Sequence, residues 1–558
     1  MFLALTADDR FWDKSQKILF LSQGCLLHDT RRALWQGLDY EVLPNLWHDP
    51  EQLNSAIAYV DVCAEKMLER IGRYLSDLHQ HPYHEEHWRI ILYAWLQRYI
   101  HVLYDRYRHI RLAFEKHADL TTRISQAGLI EPTHDLAHYT HICREDSYNF
   151  QICSEIISIT NSPPPTSAKE NTESVECAPP ILEGGFQLRD SVLLYKIHHR
   201  HEDMLAQLEN SLGDVLQRYP ETLFARDQLP TPDPKFDPAR NGLINIPADD
   251  DFERILVNTL PKSFPTLYLE GYKDSIKTIH KLFPILPRLI ISSAHGWYTQ
   301  EVFKFLAGVA KTQGCQIISM QAGGANGTYK FFAQQAHEER FADRELVWGW
   351  AKPDDTKRRT IPCFYTSKIL ALAALNKNEY RGPSVLFLQA GPLERYLRWM
   401  YSTPYGGGSG EPYLAWQMRF LAALPNSTRS NLFYREKPQR DDGQNFSGRI
   451  KERFPDLRVE DTYAVPAPDR ILDPEVRLIV IDHCSTGYLE SFTANKPTIL
   501  FWDPNLWLMN SVATKLFDDM REVGILHNSP ESAARWVQKI YESPLEWWRS
   551  DKVQSVRH

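Results

Sequence analysis

The chain is poor in clustered cysteine, in long apolar runs and in charge of one sign, and each shortage closes off a class of protein. Eight cysteines (Cys25, Cys63, Cys143, Cys153, Cys177, Cys315, Cys363 and Cys484) are scattered over 558 residues without a C-x-x-C spacing. Neither a zinc knuckle nor a disulfide framework is expected, and a reducing, cytoplasmic setting fits. No apolar run approaches the ~18 residues that cross a bilayer, and the opening MFLALTADDRFWDK turns acidic too early for a signal peptide. With 63 Lys and Arg against 71 Asp and Glu, a formal net charge of -8, nothing points to a nucleic-acid partner. The G-x-G-x-x-G and Walker A patterns of nucleotide-binding loops are also missing, as is any repeat of about 20–50 residues.

What is present is an ordinary globular composition, 43% hydrophobic and 24% charged. The length exceeds the ~250–300 residues at which single cores stop growing, so at least two domains are expected. Lys17-Ile-Leu-Phe-Leu-Ser22 reads as an early strand of an open α/β sheet, ending at Gln23-Gly24. Apolar residues then recur at helical spacing from Gln52 to Leu78 and from Glu86 to Lys116. Residues 161–185, with Pro163-Pro-Pro165 and Pro179-Pro180, read as a disordered-looking linker inside this helical insertion of about 50–220, and helical pattern resumes from Arg189 to Gln217. Strand patterns return near Leu289, Gln316, Ser384, Asn431, Leu478 and Thr498, alternating with helices. The pattern predicts an α/β fold of two Rossmann-like domains facing a cleft, residues 1–380 with the helical insertion and residues 381–558.

The clearest chemistry lies in Arg477 to Trp502, RLIVIDHCSTGYLESFTANKPTILFW. A β-branched apolar run meets the cap-type residues Asp482-His-Cys-Ser-Thr486, and a helical pattern runs from Tyr488 to Asn495 before Pro497 ends it. The first turn of such a helix offers unpaired backbone N–H groups and the positive end of the dipole to an anion, without a metal. Ser485 and Thr486 add two hydroxyls, although the same residues would also serve as a plain cap.

Gln321-Ala-Gly-Gly-Ala-Asn-Gly327 follows a strand directly, so Gly323 and Gly324 either let a ligand approach the backbone or simply turn the chain. Gly406-Gly-Gly408 has the composition of a lid at the cleft or of a mobile loop. His295, just past a strand end, stands where an α/β enzyme holds a base. His337, Glu338 and Asp343 offer further acid–base groups, on a helix whose default reading is a solvated charged face. Arg435 and Lys437, after another strand, suit a phosphate or a carboxylate. In HQHPYHEEHW, Pro82 interrupts His79, His81, His84 and His87, leaves only the last two on one face, and argues against a metal site.

Taken together, the spaced motifs resemble a family of bacterial transferases encoded in surface-polysaccharide and nonulosonic-acid loci. The match runs through Ser22-Gln-Gly-Cys25, Trp88-Arg89-Ile90, Trp95-Leu96, Leu103-Tyr104-Asp105-Arg106, Gln321-x-Gly-Gly, His337-Glu338, Trp348-Gly349-Trp350, Ser485-Thr486-x-Tyr488-Leu489-Glu490, Asn495 to Trp502, Val523-Gly-Ile525, Pro530 to Ala534 and Trp547-Trp548. The resemblance implies a metal-independent GT-B glycosyltransferase with no cofactor, acceptor on the first domain and sugar nucleotide on the second. It implies a CMP-activated ulosonic acid (Kdo, sialic or pseudaminic type) as donor and a bacterial surface glycan, glycoprotein precursor or lipid-linked glycan as acceptor. A cytoplasmic location with peripheral contact at the inner membrane follows from such an acceptor.

In that frame Ser485, Thr486 and Arg435 would hold the phosphate and Glu490 the ribose, while Gln321, Gly323 and Gly324 would meet substrate. The base would come from His295, His337 or Glu338. Two positions depart from the expected pattern: Ala322 stands where a His is expected after Gln321, and Asn326 where a Tyr is. Polyol-phosphate transfer from a CDP-alcohol, and a catalytically degenerate glycan-binding scaffold, stand as alternatives.

Overall fold

The computed structural model describes residues 1–29, 31–125, 132–160, 166–168, 191–196, 210–211, 216–217, 221–375, 382–389, 395–397, 410–436, 443–460, 465–505 and 507–558. Its described strands form three parallel sheets. The first has the order β3-β2-β1-β4-β5, from β1 (Phe2–Ala4), β2 (Ile18–Phe20), β3 (Tyr40–Val42), β4 (Thr121–Ser125) and β5 (Thr166–Ala168). Two long helices, α1 (Pro50–His79) and α2 (Ala94–Lys116), lie between β3 and β4 in the chain. Asp49 caps α1 by accepting from the N–H groups of Glu51 and Gln52, Pro50 sits at the first turn where no N–H is needed, and Gln80 closes the helix at φ 56°. Leu53, Ile57, Val60, Ala64, Met67, Ile71 and Leu75 recur at helical spacing and are buried, so this stripe becomes core.

The second sheet has the order β11-β10-β9-β8-β6-β7, from β6 (Val192–Tyr195), β7 (Leu216–Gln217), β8 (Leu289–Ser293), β9 (Gln316–Met320), β10 (Arg344–Trp348) and β11 (Arg358–Ile361). The helical pattern read from Arg189 is therefore corrected at Val192–Tyr195, which is a strand between β8 and β7. Both faces of this sheet are covered: Leu193, Ile290 and Ile317 join the main core, whereas Val192, Ile291 and Met320 pack on the other face. A strand apolar on both faces has no period of two, which is why its sequence resembles a helix. Helix α3 (Ala333–Phe341) joins β9 to β10.

The third sheet has the order β14-β13-β12-β15-β16-β17, from β12 (Ser384–Leu388), β13 (Leu432–Arg435), β14 (Arg458–Val459), β15 (Val476–Ile481), β16 (Thr498–Phe501) and β17 (Leu526–His527). Helices α4 (Gly410–Ala423) and α5 (Thr486–Thr493) belong to this unit, which has its own apolar core. The first and second sheets share a core with α1 and α2. Among the described residues no helix is long and apolar enough to cross a membrane.

Candidate functional site

In the third sheet the chain runs to one side of β12 through β13 and β14, and to the other side of β15 through β16 and β17. The neighbouring strands β12 and β15 therefore mark a switch point in the strand order, the place where open α/β sheets form a ligand crevice. The β15 end carries Asp482 and His483. Asp482 is 2% exposed; its Oδ2 accepts from Gln417 Nε2 on α4 at 2.7 Å and its Oδ1 faces His483 Nδ1 at 3.0 Å. Gln417 Oε1 in turn accepts from Tyr434 Oη at 2.9 Å.

Helix α5 starts three residues after His483. Ser485 is extended at its N-cap and its side chain makes no capping bond, so the first-turn N–H groups keep their hydrogen-bonding capacity. Ser485, Thr486 and Gly487 are half-buried. The glycine loop after β9 forms the facing wall: Gly324 N donates to Thr486 Oγ1 at 3.1 Å. A Cβ on Gly324 would lie 3.1 Å from Thr486 N and 2.9 Å from Leu489 Cδ1, so the close approach depends on the missing side chain.

Gln321 braces this loop from within. Its Oε1 accepts from Trp348 N and Trp350 Nε1, both at 2.8 Å, and its Nε2 donates to Gly323 O at 2.7 Å. Farther along, Tyr329 Oη donates to Cys484 O, and Asn510 Nδ2 donates to Gly327 O at 2.7 Å. Gly323, Gly324, Ser485 and Thr486 are thus brought together, while the Gln321 amide serves the loop itself.

The other expected residues fall elsewhere. His295 is exposed on the helix Ala294–Thr299 that follows β8, on the same carboxyl edge as the glycine loop because β8 and β9 are parallel neighbours. The solvated-face reading of α3 is corrected, because His337 is 0% and Glu338 4% exposed. His337 packs against the rings of Tyr93, Tyr298 and Phe341 at 5.1, 5.4 and 5.0 Å, and burial pushes its pKa down to about 3. Glu338 accepts from the Ser319 hydroxyl, and burial pushes its carboxyl up to about 8. Asp343 holds Lys311 and the N–H of Ile317.

Arg435, at the end of β13, donates to Glu460 at 2.8 Å and to the carbonyl of Val465. Glu490 is buried on α5 near Cys363, whose thiol is raised by burial and also by that carboxylate. His81 stacks on His87, and His87 Nε2 meets Tyr272 Oη at 2.8 Å. Among the described residues no group of three or more His, Cys, Asp or Glu gathers as a metal site. Lys437, Gly406–Gly408 and most of the 161–185 linker lie outside the described residues.

The carboxyl edge of the first sheet is filled by the chain itself. Arg395 Nη2 and Tyr396 Oη bind the two oxygens of Asp146 at 2.9 and 2.6 Å, and Arg106 Nη1 donates to Leu397 O at 3.0 Å. Beneath this strap lies a cavity of about 20 Å³ bordered by Ser22, Asp105, Arg106 and Asn149, room for a single water.

Reading the sequence alone missed the Asp482–His483 pair as chemistry. The two residues were visible directly after a strand, but as cap-type residues. Their support from Gln417, 65 positions away, had no local signal. A family model described as "LIC12162 family transferase" matches residues 1–558. No curated protein matches the chain. Among solved structures, the N-terminal domain of Candida albicans trehalose-6-phosphate phosphatase aligns at 11% identity over 68% of this chain and 96% of that one, with a TM-score of 0.31, a likeness too slight to carry an argument.

Proposed function

The chain belongs to the LIC12162 family of transferases, and from that premise we propose that it moves a glycosyl group from a nucleotide-linked phosphate donor to a hydroxyl acceptor. The observation that carries this reading is the contact of Gly324 N with Thr486 Oγ1 at 3.1 Å. It sets a side-chain-free loop against an uncapped helix N-terminus, an arrangement suited to a phosphate. Ser485, Thr486 and the first-turn N–H groups of α5 hold that phosphate, and Gly323 leaves room for the group attached to it. His295, on the neighbouring edge, is the base offered to the acceptor.

In its finer form the proposal names a CMP-activated ulosonic acid as donor and a bacterial surface glycan or glycoprotein precursor as acceptor, with residues 381–558 as the nucleotide half of a GT-B cleft. It draws on the sequence resemblance together with this anion-suited crevice. A departing nucleoside monophosphate is an anion, and a helix dipole with hydroxyl donors stabilises it where charge develops.

The test is a double substitution, Ser485→Ala with Thr486→Val, in the full chain. CMP is expected to raise the melting temperature of the unaltered protein and to lose most of that effect in the variant, each lost hydrogen bond to a charged group being worth about 1.5–3 kcal/mol. Equal stabilisation of both proteins by CMP would refute the phosphate assignment. Turnover of CDP-glycerol in place of CMP-ulosonic acids would move the reading to polyol-phosphate transfer.

A further inference from the structure

The Asp482–His483 pair has no part in the proposal above, yet its geometry is that of a held acid–base group. Nδ1 of His483 is tied inward to Asp482 Oδ1 at 3.0 Å, and the carboxylate is itself fixed by Gln417 and, through it, by Tyr434. Gln417 and Tyr434 are fully buried, so the chain of hydrogen bonds is anchored in the core of the third unit. The imidazole side chain is 12% exposed. Among the described residues its Nε2 has no hydrogen-bond partner. It stands at the switch point of the sheet, two positions before Ser485. A carboxylate behind a histidine fixes both the tautomer and the direction of the free nitrogen.

We propose that His483 is a catalytic residue of the transfer reaction, donating the Nε2 proton to the departing phosphate, with Asp482, Gln417 and Tyr434 as positioning residues. The proposal rests on the reading that the donor phosphate lies at the first turn of α5. In the step, the bond between the anomeric carbon and the phosphate oxygen breaks, and its electron pair stays on that oxygen. The ring starts doubly protonated, with Nδ1–H held by Asp482, and its Nε2 proton passes to the phosphate. The acceptor oxygen bonds to the anomeric carbon, and its own proton leaves to a base on the facing wall. Solvent then returns a proton to His483, so the cycle closes without an oxidant, reductant or further reactant. Placement favours the leaving group over the acceptor: His483 shares its loop with the anion-facing hydroxyls Ser485 and Thr486.

Three variants of the full chain test this. His483→Asn keeps a hydrogen-bonding group toward Asp482 and removes Nε2; His483→Gln puts an amide near the Nε2 position that cannot give up a proton; Asp482→Asn alters the group that orients the ring. CMP release from CMP-sialic acid and CMP-Kdo is followed, with CMP affinity by calorimetry and melting temperature in parallel. General acid–base assistance typically contributes about 10²–10⁴-fold, so both His483 variants are expected to lose at least about 100-fold in kcat. KM and CMP affinity should stay within about threefold. Asp482→Asn should lose kcat by about tenfold or more with KM unchanged, a split that a purely structural role would not give.

Turnover at the unaltered rate in both His483 variants would overturn the proposal. Loss of CMP affinity with unchanged melting temperature would make His483 a binding residue and would also overturn it. If the unaltered chain neither binds CMP nor releases it from either donor, the donor reading falls first and the role of His483 with it.

Discussion

Two neighbouring pairs of a histidine and a carboxylate, His337–Glu338 and Asp482–His483, meet opposite fates in this fold. The first sits mid-helix, where residues three and four apart share a face, so Ala333, His337 and Phe341 are all buried, with His337 sealed against Tyr93 and Tyr298. The second sits at the end of a central strand, where the backbone leaves the sheet and one side chain can stay buried while the next keeps some exposure. Asp482 is accordingly a core carboxylate and His483 a mostly buried imidazole whose side chain keeps 12% of its surface exposed. Each pair joins one imidazole to one carboxylate; access is set by the element that carries them. A buried imidazole pushed down to about 3 is a neutral packing group near pH 7.

The contrast can be broken most forcefully by truncation. His337→Ala should cost about 2–4 kcal/mol in urea unfolding, since it opens a cavity among three aromatic rings. His483→Ala should cost less than about 1 kcal/mol, as expected for a partly exposed side chain outside the core. Equal losses would mean that the two sites are alike.

A smaller effect is read from pH. Glu338 carries a folded pKa near 8 against an ordinary value of about 4.3, so the folded state holds its proton more tightly. Its contribution is complete below the ordinary carboxyl range and is lost as pH rises toward 8. Glu345, raised to about 7 by burial and by Glu339, acts in the same direction. His337 acts in the opposite direction, but its contribution is complete above the ordinary imidazole range of about 6.5 and is lost only on acidification. Between pH about 6.5 and 8 the Glu338→Gln variant should therefore show a flatter fall in melting temperature than the unaltered chain. An identical slope would show that Glu338 is ionised in the fold.

The smallest expected effect concerns the brace behind the glycine loop. Gln335 accepts from Gly327 N at 2.8 Å and donates to Glu339, and Gln335→Ala should cost about 1 kcal/mol. Faster hydrogen exchange at the Gly327 amide would be the local sign, with the amides of β15 unchanged.

The segment from Arg477 to Trp502 was legible because its information is local. A β-branched run, cap residues and a proline mark the strand, turn and helix in order, and the structure places β15, α5 and β16 there. The early strand at Lys17–Ser22 was legible for the same reason. β1 and β6 were not: one is three residues at the chain start, and the other is an apolar stretch buried on both faces. Nor could the sequence reveal that β1–β5 and β6–β11 form separate sheets, or that β12 and β15 flank a switch point, since strand order is set by pairings far apart in the chain. The burial of His337 depends on Tyr93 and Tyr298, which no local pattern links to it. Of the candidate site, the glycine loop and the hydroxyl turn were each visible, whereas their contact was not.

That contact also orders events during synthesis. Tyr329 donates to the carbonyl of Cys484, 155 positions farther along, and Asn510 reaches back to Gly327. A nascent chain that has already built its first two sheets still lacks the residues that fix its glycine loop. The loop can take its final shape only after residues through Asn510 have left the ribosome, so truncation ahead of Cys484 would remove the partners of a site whose first wall was made much earlier.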